Sequence, residues 1–411
     1  MPFVLDQVMK RFIRQGALTV ILPDGVERHY KGTRPGEKAA MHVRSAKALQ
    51  ALIVNSGLAF GEGYMNGEIE PVGCTLEQLL RVLMVNLQDT GHSFNRFEGA
   101  IRFVTRRLRQ WNGARRSIRN VAHHYDLSGA LYDLFLDQDR QYSCAYFTHA
   151  DMTLDEAQIA KKRHIAAKLK LDRPGLEVLD IGSGWGGMAL TLARDYGAHV
   201  LGITLSKEQL EVSRRRAREA GLEKQVRFEL CDYRKVRSAF DRIVSVGMFE
   251  HVGVGNYDTF FRVVRDRLKP DGVALLHSIG RMDGPGSTNP WLSKYIFPGG
   301  YSPALSETLA SIERSGLWLT DCEILRLHYA KTIAIWRERY AAAHDRVVAM
   351  YDERFYRMFD FYLTGAELSF RVQDHMNFQL QLTRSMTALP ITRDYMFMGD
   401  MAGSGGPATV R

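Results

Sequence analysis

The stretch of the chain that decides the fold is Glu177–Gly187, which reads EVLDIGSGWGG. Its apolar first half is typical of the end of a buried strand, and Met188–Tyr196 after it has the pattern of a helix. The glycines in between let the backbone turn sharply and approach a ligand with no Cβ in the way. In a doubly wound sheet, such a strand–loop–helix unit forms a nucleotide site at the carboxyl end of the first strand.

The loop leaves two classes of nucleotide open. Gly182, Gly184 and Gly187 satisfy the Gly-x-Gly-x-x-Gly pattern of dinucleotide sites, although this pattern alone is weak evidence. A dinucleotide site also needs an acid about 20 positions further on to bind the ribose, and Thr204 stands there instead. Asp180 directly precedes the first glycine, as in loops that bind the amino-acid part of S-adenosylmethionine. We therefore favour a methyl-donor site over an NAD site and over a purely structural turn.

The rest of the core alternates between strand and helix patterns, which predicts a parallel sheet with covering helices. A preceding helix over 154–169 is expected to carry Lys161, Lys162 and Arg163 on its outer face. The stretch 332–383 predicts long helices rich in aromatic residues, which interrupt the closing strands and build an apolar lid. The predicted core elements are strand 177–181, helix 188–196, strand 199–204, helix 206–220, strand 226–230, strand 241–246, helix 257–268 and strand 272–278.

The composition is that of an ordinary globular protein with a basic surface. The chain has 411 residues, of which 45% are hydrophobic and 25% charged, and this length allows two or three domains. A net charge of +9 favours an anionic partner, either nucleic acid or an acidic membrane surface. The four cysteines lack paired or metal-like spacing, so we expect free thiols and no metal site. Without a long apolar run or a signal peptide, the expected location is the cytoplasm.

A small unit precedes the core. It predicts a hairpin at 17–30, with helices at 44–55 and 76–86. Residues 3–13 predict a short basic amphipathic helix, which either lies in a lipid headgroup layer or packs on its own domain. The predicted division is 1–110 for an α+β domain that could dock on lipid, 111–120 for a basic linker, 121–402 for the catalytic domain and 403–411 for a disordered tail.

An arginine-rich segment, 105–120, surrounds the predicted linker. At about 1 kcal/mol per basic residue near an anionic leaflet, it could hold the protein on a membrane. A solvated linker and a nucleic-acid contact are the alternatives, and no aromatic-interleaved recognition motif accompanies the charge. We therefore expect an anionic membrane and no nucleic acid as partner.

Six motifs follow one another along the chain: Tyr142–Phe147, Asp180–Gly187, Gly202–Ser206, Ser245–Val252, Leu276–Gly280 and Tyr295–Gly300. Taken in order, they resemble those of cyclopropane-fatty-acid synthases and of the related mycolic acid cyclopropane synthases. The resemblance covers about residues 120–385 and implies a Rossmann-like S-adenosylmethionine-dependent methyltransferase fold with a helical lid, beside the small α+β domain. It implies methylene transfer from S-adenosylmethionine to the cis double bond of an unsaturated acyl chain in a membrane phospholipid.

The residues make chemical sense of that reaction. An alkene is a weak nucleophile, so the methyl group must be held in line at near-attack distance. Attack leaves a carbocation, from which water must be excluded and which aromatic faces can stabilise. The predicted contacts of the methyl donor are Tyr142, Ser143, Gly182, Gly184, Thr204, Leu205, Gln209 and Asp232.

In the resembled family a bound bicarbonate ion removes the proton whose loss closes the ring. The resemblance implies that Cys144, Glu250, His277, the Ile279 main chain and Tyr329 hold this ion, and the motif around Tyr329 matches loosely. Bicarbonate needs both donors and an acceptor, which these groups supply. Structural roles stay open as well, since a free cysteine is usually a buried apolar side chain and a strand histidine can belong to the core.

Other functions also stay open. The same family includes enzymes that leave a methyl branch or another modification on the olefin. A nucleic-acid methyltransferase would suit the charge, but Gly247–His251 replaces the Asn/Asp-Pro-Pro-Tyr motif expected there. A non-catalytic lipid-binding protein on this scaffold is the third alternative. We expect an enzyme at the inner face of the membrane, and leave open its oligomeric state, a homodimer included.

Overall fold

The computed structural model describes residues 2–89 and 128–397, with side chains at 6–88 and 128–397. The arginine-rich segment at 105–120 with the predicted linker at 111–120, and the tail at 403–411, lie outside the described residues, so these predictions stay untested. Within the described ranges, no helix combines the length and the apolar character needed to cross a bilayer.

The first sheet has four strands in the order β2-β1-β3-β4. The predicted hairpin is confirmed, with Ala17 opposite Lys31. Strand β3 pairs parallel to β1, an arrangement that the sequence pattern did not indicate. Met9 of α1 and Ile13, which follows the helix, are buried in the core of this sheet, so the described part of the amphipathic helix packs on its own domain. The elements are α1 (Pro2–Phe12), β1 (Gln15–Ile21), β2 (Glu27–Lys31), β3 (Arg34–Val43), α2 (Ala46–Met65), β4 (Ile69–Pro71) and α3 (Leu76–Asp89).

The second sheet contains the decisive stretch, and its alternating pattern is confirmed. Its elements begin with α4 (Gly129–Tyr132), α5 (Leu154–Lys168), β5 (Glu177–Ile181), α6 (Gly187–Tyr196), β6 (His199–Thr204), α7 (Lys207–Glu219), β7 (Val226–Leu230), β8 (Phe240–Val246), α8 (Tyr257–Arg267) and β9 (Leu268–Arg281). Strand β5 lies between β6 and β8, with Asp180 beside both Gly202 and Val244. From β5 the chain builds outward first on one side and then on the other, and ligands bind at such a switch point.

The lid follows the parallel strands. Helices lie between the last two strands in the chain, as predicted. The full strand order of the sheet is β10-β11-β9-β8-β5-β6-β7. Strand β11 is antiparallel to both of its neighbours. The elements are α9 (Pro290–Tyr295), α10 (Leu305–Ser315), β10 (Trp318–Ile324), α11 (His328–Ala342), α12 (His344–Met350), α13 (Glu353–Val372) and β11 (His375–Thr383).

The prediction of helix throughout 332–383 is wrong at its end. Strand β11 reads HMNFQLQLT, in which apolar and polar residues alternate with the period of a strand. Its apolar side chains join the core that also contains Phe249 and Phe261, whereas its polar ones are buried on the opposite face. Gln379 and Gln381 form hydrogen bonds there, which lowers the cost of burying them.

Candidate active site

A cavity opens at the carboxyl edge of the second sheet, with about 1230 Å³ of space including its mouth. The loop after β5 forms part of its wall. Gly182 has φ +84°, and a Cβ there would come within 2.8 Å of Met248, so only glycine fits without a shift. Gly184 has φ +55° and open space where a Cβ would stand. We call this space the donor cavity, and all eight predicted donor contacts line it: Tyr142, Ser143, Gly182, Gly184, Thr204, Leu205, Gln209 and Asp232.

The donor cavity contains polar atoms that suit a polar ligand. Asp180 Oδ2 and Ser183 Oγ are buried without a hydrogen-bond partner among the described residues. Burial raises the pKa of Asp180 to about 7. Buried polar atoms are rarely left unpaired in a protein, so a ligand bound in the cavity is the natural partner for these two.

Two further donor contacts are held in place by hydrogen bonds. The Thr204 hydroxyl donates to Gln209 Oε1 at 2.8 Å and accepts the Ser206 N–H at 3.1 Å. The Asp232 carboxylate accepts from the Arg234 backbone N–H at 3.0 Å and from its guanidinium at 2.6 and 2.8 Å. Burial raises the pKa of Asp232, but the bonds from Arg234 outweigh it and keep the pKa below its usual value. Asp232 is therefore ionised and rigid.

An apolar cluster under helices α11–α13 adjoins the donor cavity, and we call it the lid cluster. Tyr142 belongs to both, because its ring lines the cavity and also stacks on Trp336 with centroids 5.2 Å apart. Its hydroxyl lies 2.9 Å from that of Tyr362. Trp185 also lines the cavity and packs on Tyr132 of the cluster. The lid cluster includes Tyr132, Phe135, Cys144, Trp185, Tyr329, Ile333, Trp336, Tyr340, Phe359, Tyr362 and Phe370.

The five residues predicted to hold bicarbonate do not line the donor cavity, and we call them the base site. Cys144 and Tyr329 are buried members of the lid cluster, and Ile279 packs against it. Glu250 Oε1 accepts the Ile279 N–H at 2.6 Å. His277 precedes Ile279 by two positions on β9 and pairs with Val246, which lines the cavity. The fold thus brings the five residues to one region beside the cavity.

The base site offers an acceptor and a donor that are both unused. Glu250 Oε2 and His277 Nε2 are buried and have no hydrogen-bond partner among the described residues. The Gln379 amide lies 3.1 Å from His277 Nδ1, and in its placed orientation it donates there, which puts the ring proton on Nε2. Burial lowers the pKa of His277 to about 3 and raises that of Glu250 to about 7. The imidazole is therefore neutral.

One expected contact differs. The resemblance implied that the Ile279 main chain holds the ion, but its N–H donates to Glu250 instead. The Cys144 thiol donates to the Ala145 carbonyl at 3.3 Å, and burial raises its pKa, so it stays a neutral thiol.

Side chains of helix α5 form hydrogen bonds to Gln141 and Ser143, in the segment that forms one wall of the donor cavity. Gln158 Nε2 donates to the carbonyls of Gln141 and Ser143 at 3.2 and 2.9 Å. Lys161 Nζ donates to Gln141 Oε1 at 2.7 Å and to Ser143 Oγ at 2.8 Å. The predicted outer position of Lys161 is wrong, since it is fully buried. Oxygen atoms around its ammonium replace water and allow this burial.

Lys162 was also expected outside and is only 5% exposed. Its ammonium pairs with Asp139, which pairs in turn with Arg216. Burial raises the pKa of Asp139, but the two cations outweigh it and hold the pKa below its usual value. The segment that carries Tyr142 and Ser143 is thus fixed at both ends by α5.

Sequence reasoning left several cavity residues without a role. His251 lines the donor cavity, and burial lowers its pKa to about 4. Trp185 lies within the glycine loop, and that position was the signal available for it. Gln158 and Lys161 gave no signal, because a lysine on a helix normally faces solvent. Among the described residues, no group of three or more His, Cys, Asp or Glu is arranged to hold a metal ion.

The chain matches two family models and is similar to known proteins in sequence and in structure. A family model described as mycolic acid cyclopropane synthetase matches residues 112–380, and one described as a domain of unknown function matches residues 4–93. The chain is 38% identical over 350 residues to the cyclopropane-fatty-acyl-phospholipid synthase of Escherichia coli strain K12, which covers 85% of this chain and 88% of that protein.

Two further likenesses bear on the site. The chain is 33% identical over 387 residues to the tuberculostearic acid methyltransferase UfaA1 of Mycobacterium tuberculosis, covering 90% of this chain and 88% of that protein. The crystal structure of the mycolic acid cyclopropane synthase CmaA1 complexed with SAH and CTAB matches with a TM-score of 0.61 at 35% identity, covering 64% of this chain and 97% of that one.

Proposed function

The chain belongs to the mycolic acid cyclopropane synthetase family, and we propose that it forms a cyclopropane ring on the cis double bond of unsaturated acyl chains in membrane phospholipids. Family membership confirms the resemblance seen in the six motifs and makes the chain an S-adenosylmethionine-dependent methyltransferase. The phospholipid, the bicarbonate base and the roles of individual residues are parts of the proposal.

The observation that carries the proposal is the shared wall between the donor cavity and the lid cluster. Tyr142 and Trp185 take part in both. Side chains that line the donor cavity thus also pack in the lid cluster, so an acyl chain held among those apolar side chains would lie next to the bound methyl donor. An acyl chain needs apolar surroundings, whereas a water-soluble acceptor does not.

The donor cavity fits S-adenosylmethionine, which when bound supplies the electrophilic methyl group. Asp180 Oδ2 and Ser183 Oγ would bind its polar end, since both are buried and have no partner among the described residues. Gly182 and Gly184 leave the room that this contact needs. Asp232, fixed by Arg234, would accept from the nucleoside part.

The lid cluster would protect the reacting olefin. Its aromatic rings pack on one another, with Tyr329 and Phe370 centroids 4.9 Å apart and Tyr142 and Trp336 centroids 5.2 Å apart. Apolar rings packed in this way would keep water away from the olefin, and their faces would stabilise a positive charge on the acyl chain.

The base site fits a small oxyanion, which when bound supplies the base for ring closure. His277 Nε2 would donate to it, and Tyr329 would donate through its hydroxyl. Glu250 Oε2 would accept from it while Oε1 stays fixed on the Ile279 N–H. Cys144 would line the base site with a small, neutral side chain. The two unpaired buried atoms of Glu250 and His277 support this assignment.

Membrane binding is the remaining part of the proposal. The net charge of +9 supports attraction to anionic lipid, and we place the enzyme peripherally on the inner face of the membrane. A homodimer stays a prediction.

The test is analysis of the product. Purified protein is given S-adenosylmethionine, bicarbonate and vesicles of an unsaturated phosphatidylglycerol, and the lipid is examined by mass spectrometry and proton NMR. We expect a mass gain of one methylene and the upfield protons of a cyclopropane ring. A methyl branch without ring protons would instead support the activity named for the 33% identical relative. Donor consumption on a water-soluble acceptor alone would overturn the lipid substrate.

A further inference from the structure

The base site lacks a positive charge of its own. Its groups are a thiol, a neutral imidazole, a phenol, an amide and a carboxyl group with a raised pKa. An anion placed among them would lose its hydration and meet only dipoles. Burying an uncompensated charge is costly, so a site for an anion needs a cation nearby.

Lys161 is a buried cation with no carboxylate paired directly to it in the described part of the chain; burial lowers its pKa to about 8, so it is still mostly protonated at neutral pH. It is fully buried, and its ammonium donates to the neutral oxygens of Gln141 and Ser143. Among the described residues, no carboxylate lies within 4.0 Å of it, in contrast to Lys168, which pairs with Glu323. Ser143, which it contacts, directly precedes Cys144.

The charge of Lys161 reaches the base site. Burial raises the pKa of the Cys144 thiol, and the nearby ammonium opposes that rise. Burial lowers the pKa of His277, and the same ammonium lowers it further. Lys161 therefore acts on two members of the base site from one buried position.

Two buried aspartates balance this charge only in part. Lys161 lowers the pKa of Asp137 and of Asp180, but burial is the larger effect on each and keeps both pKa values above the usual one. Asp180, with a pKa of about 7, is partly protonated near neutral pH, so positive potential remains for a further anion.

We propose that Lys161 is the positioning residue that makes the base site receptive to bicarbonate, by supplying its countercharge from beneath the Ser143–Cys144 segment. The inference rests on the proposed function, because it concerns the anion used there. Lys161 does not touch the reacting atoms, and it acts through the potential at the base site and through Ser143.

The test compares two variants of α5 that differ in charge. Lys161→Met removes the charge and the hydrogen bonds to the cavity wall, whereas Gln158→Met removes hydrogen bonds to the same segment and leaves the charge. Each full-length variant is bound to S-adenosylhomocysteine, and [13C]bicarbonate is titrated while its NMR line width is followed. Calorimetry with S-adenosylhomocysteine measures donor-site affinity separately.

We expect Lys161→Met to raise the half-saturating bicarbonate concentration about tenfold or more over Gln158→Met, because a nearby buried charge in a medium of low polarity contributes that much. Both variants should weaken S-adenosylhomocysteine binding to a similar extent. Equal bicarbonate affinity in the two variants would overturn the role of Lys161. Should Lys161→Met fail to fold, Lys161→Gln keeps a donor without the charge and carries the same expectation.

Wild-type protein that binds no bicarbonate would overturn the proposed base itself. That result is distinguishable from the failure of the inference, in which the wild type binds the anion and Lys161→Met binds it equally well.

Discussion

The donor cavity and the base site meet at the segment Tyr142–Cys144 but are built in different ways. The donor cavity centres on one local stretch, since the loop after β5 shapes it, and the ends of β6, β7 and β8 and the segment before α5 complete it. The base site gathers residues from a loop before α5, from the turn after β8, from β9 and from α11. A site centred on one loop is readable from its motif, whereas one without such a centre depends on the whole fold.

The two regions also differ in their polar groups. Two unpaired oxygens, Asp180 Oδ2 and Ser183 Oγ, belong to the donor cavity, whereas a carboxyl oxygen and an imidazole nitrogen are unpaired in the base site. An oxygen pair suits a ligand that brings its own donors, and the mixed pair suits a small ion that both donates and accepts. The predictions below test whether the regions act separately.

Glu250→Gln should separate the two regions most strongly. The amide keeps the size of the side chain but cannot serve as the anionic acceptor, so ring formation should fall by at least about 100-fold. Calorimetry with S-adenosylhomocysteine should find donor-site affinity within about twofold of wild type, since Glu250 does not line the donor cavity.

Glu219→Gln is the matched control, because Glu219 is an exposed carboxylate on α7. Unchanged turnover in Glu250→Gln would remove Glu250 from the base site. A parallel loss of donor affinity would show that the two regions are not separate.

The pH dependence of the free energy of unfolding should report the raised pKa of the Glu250 carboxyl group. Burial raises the pKa of Glu250 from 4.5 to about 7, so between these values the folded state keeps a proton that the unfolded chain has lost. Its contribution to the free energy of unfolding therefore falls as pH rises through this window, by up to about 3 kcal/mol. Glu250→Gln removes this contribution.

Urea unfolding from about pH 4.5 to pH 7.5 measures the effect as a difference between variant and wild type. The free energy of unfolding of Glu250→Gln should rise relative to that of wild type as pH rises. The buried histidines titrate equally in both proteins, so their contributions cancel in the difference. Asp180→Asn is the matched variant in the donor cavity, since burial raises that pKa to about 7 as well. A difference that stays constant with pH would contradict the raised pKa.

Gly182→Ala should damage the donor cavity alone and has the smallest expected effect. At φ +84° the new Cβ is strained and comes within 2.8 Å of Met248. Strain of about 1–3 kcal/mol should weaken S-adenosylhomocysteine binding roughly tenfold in calorimetry. Bicarbonate binding in the NMR titration should persist, because the base site does not include this loop.

Gly221→Ala is the control for backbone strain. Gly221 has φ +67° with open space around it, and it does not line the donor cavity. It should lower the melting temperature without lowering donor affinity. An equal loss of donor affinity in both variants would mean that the loop geometry at Gly182 is unimportant for binding.

The sequence predicted the core better than it predicted the lid and the supports of the site. The elements from β5 to β8 match their predicted bounds within about a residue, because each has a strong local period. The prediction of helix at β11 is wrong, because its glutamines are buried on hydrogen bonds to His277 and to the Lys168 carbonyl, which lie far away in the chain, so no local pattern signals their burial. Lys161 and Lys162 of α5 are predicted on the outer face and are buried instead, because their hydrogen-bond and ion-pair partners come from the segment before α5.

What the sequence determined by itself is the doubly wound sheet and the donor cavity, because the glycine loop after β5 and the alternation around it are local properties of the chain. Only the tertiary structure decided that Lys161 is buried, that the Ile279 N–H binds Glu250 and that Tyr142 lines the donor cavity while it stacks on Trp336 of the lid cluster. These facts depend on residues far apart in the chain, and the free energy of burying a polar group is set by the partners that folding brings to it.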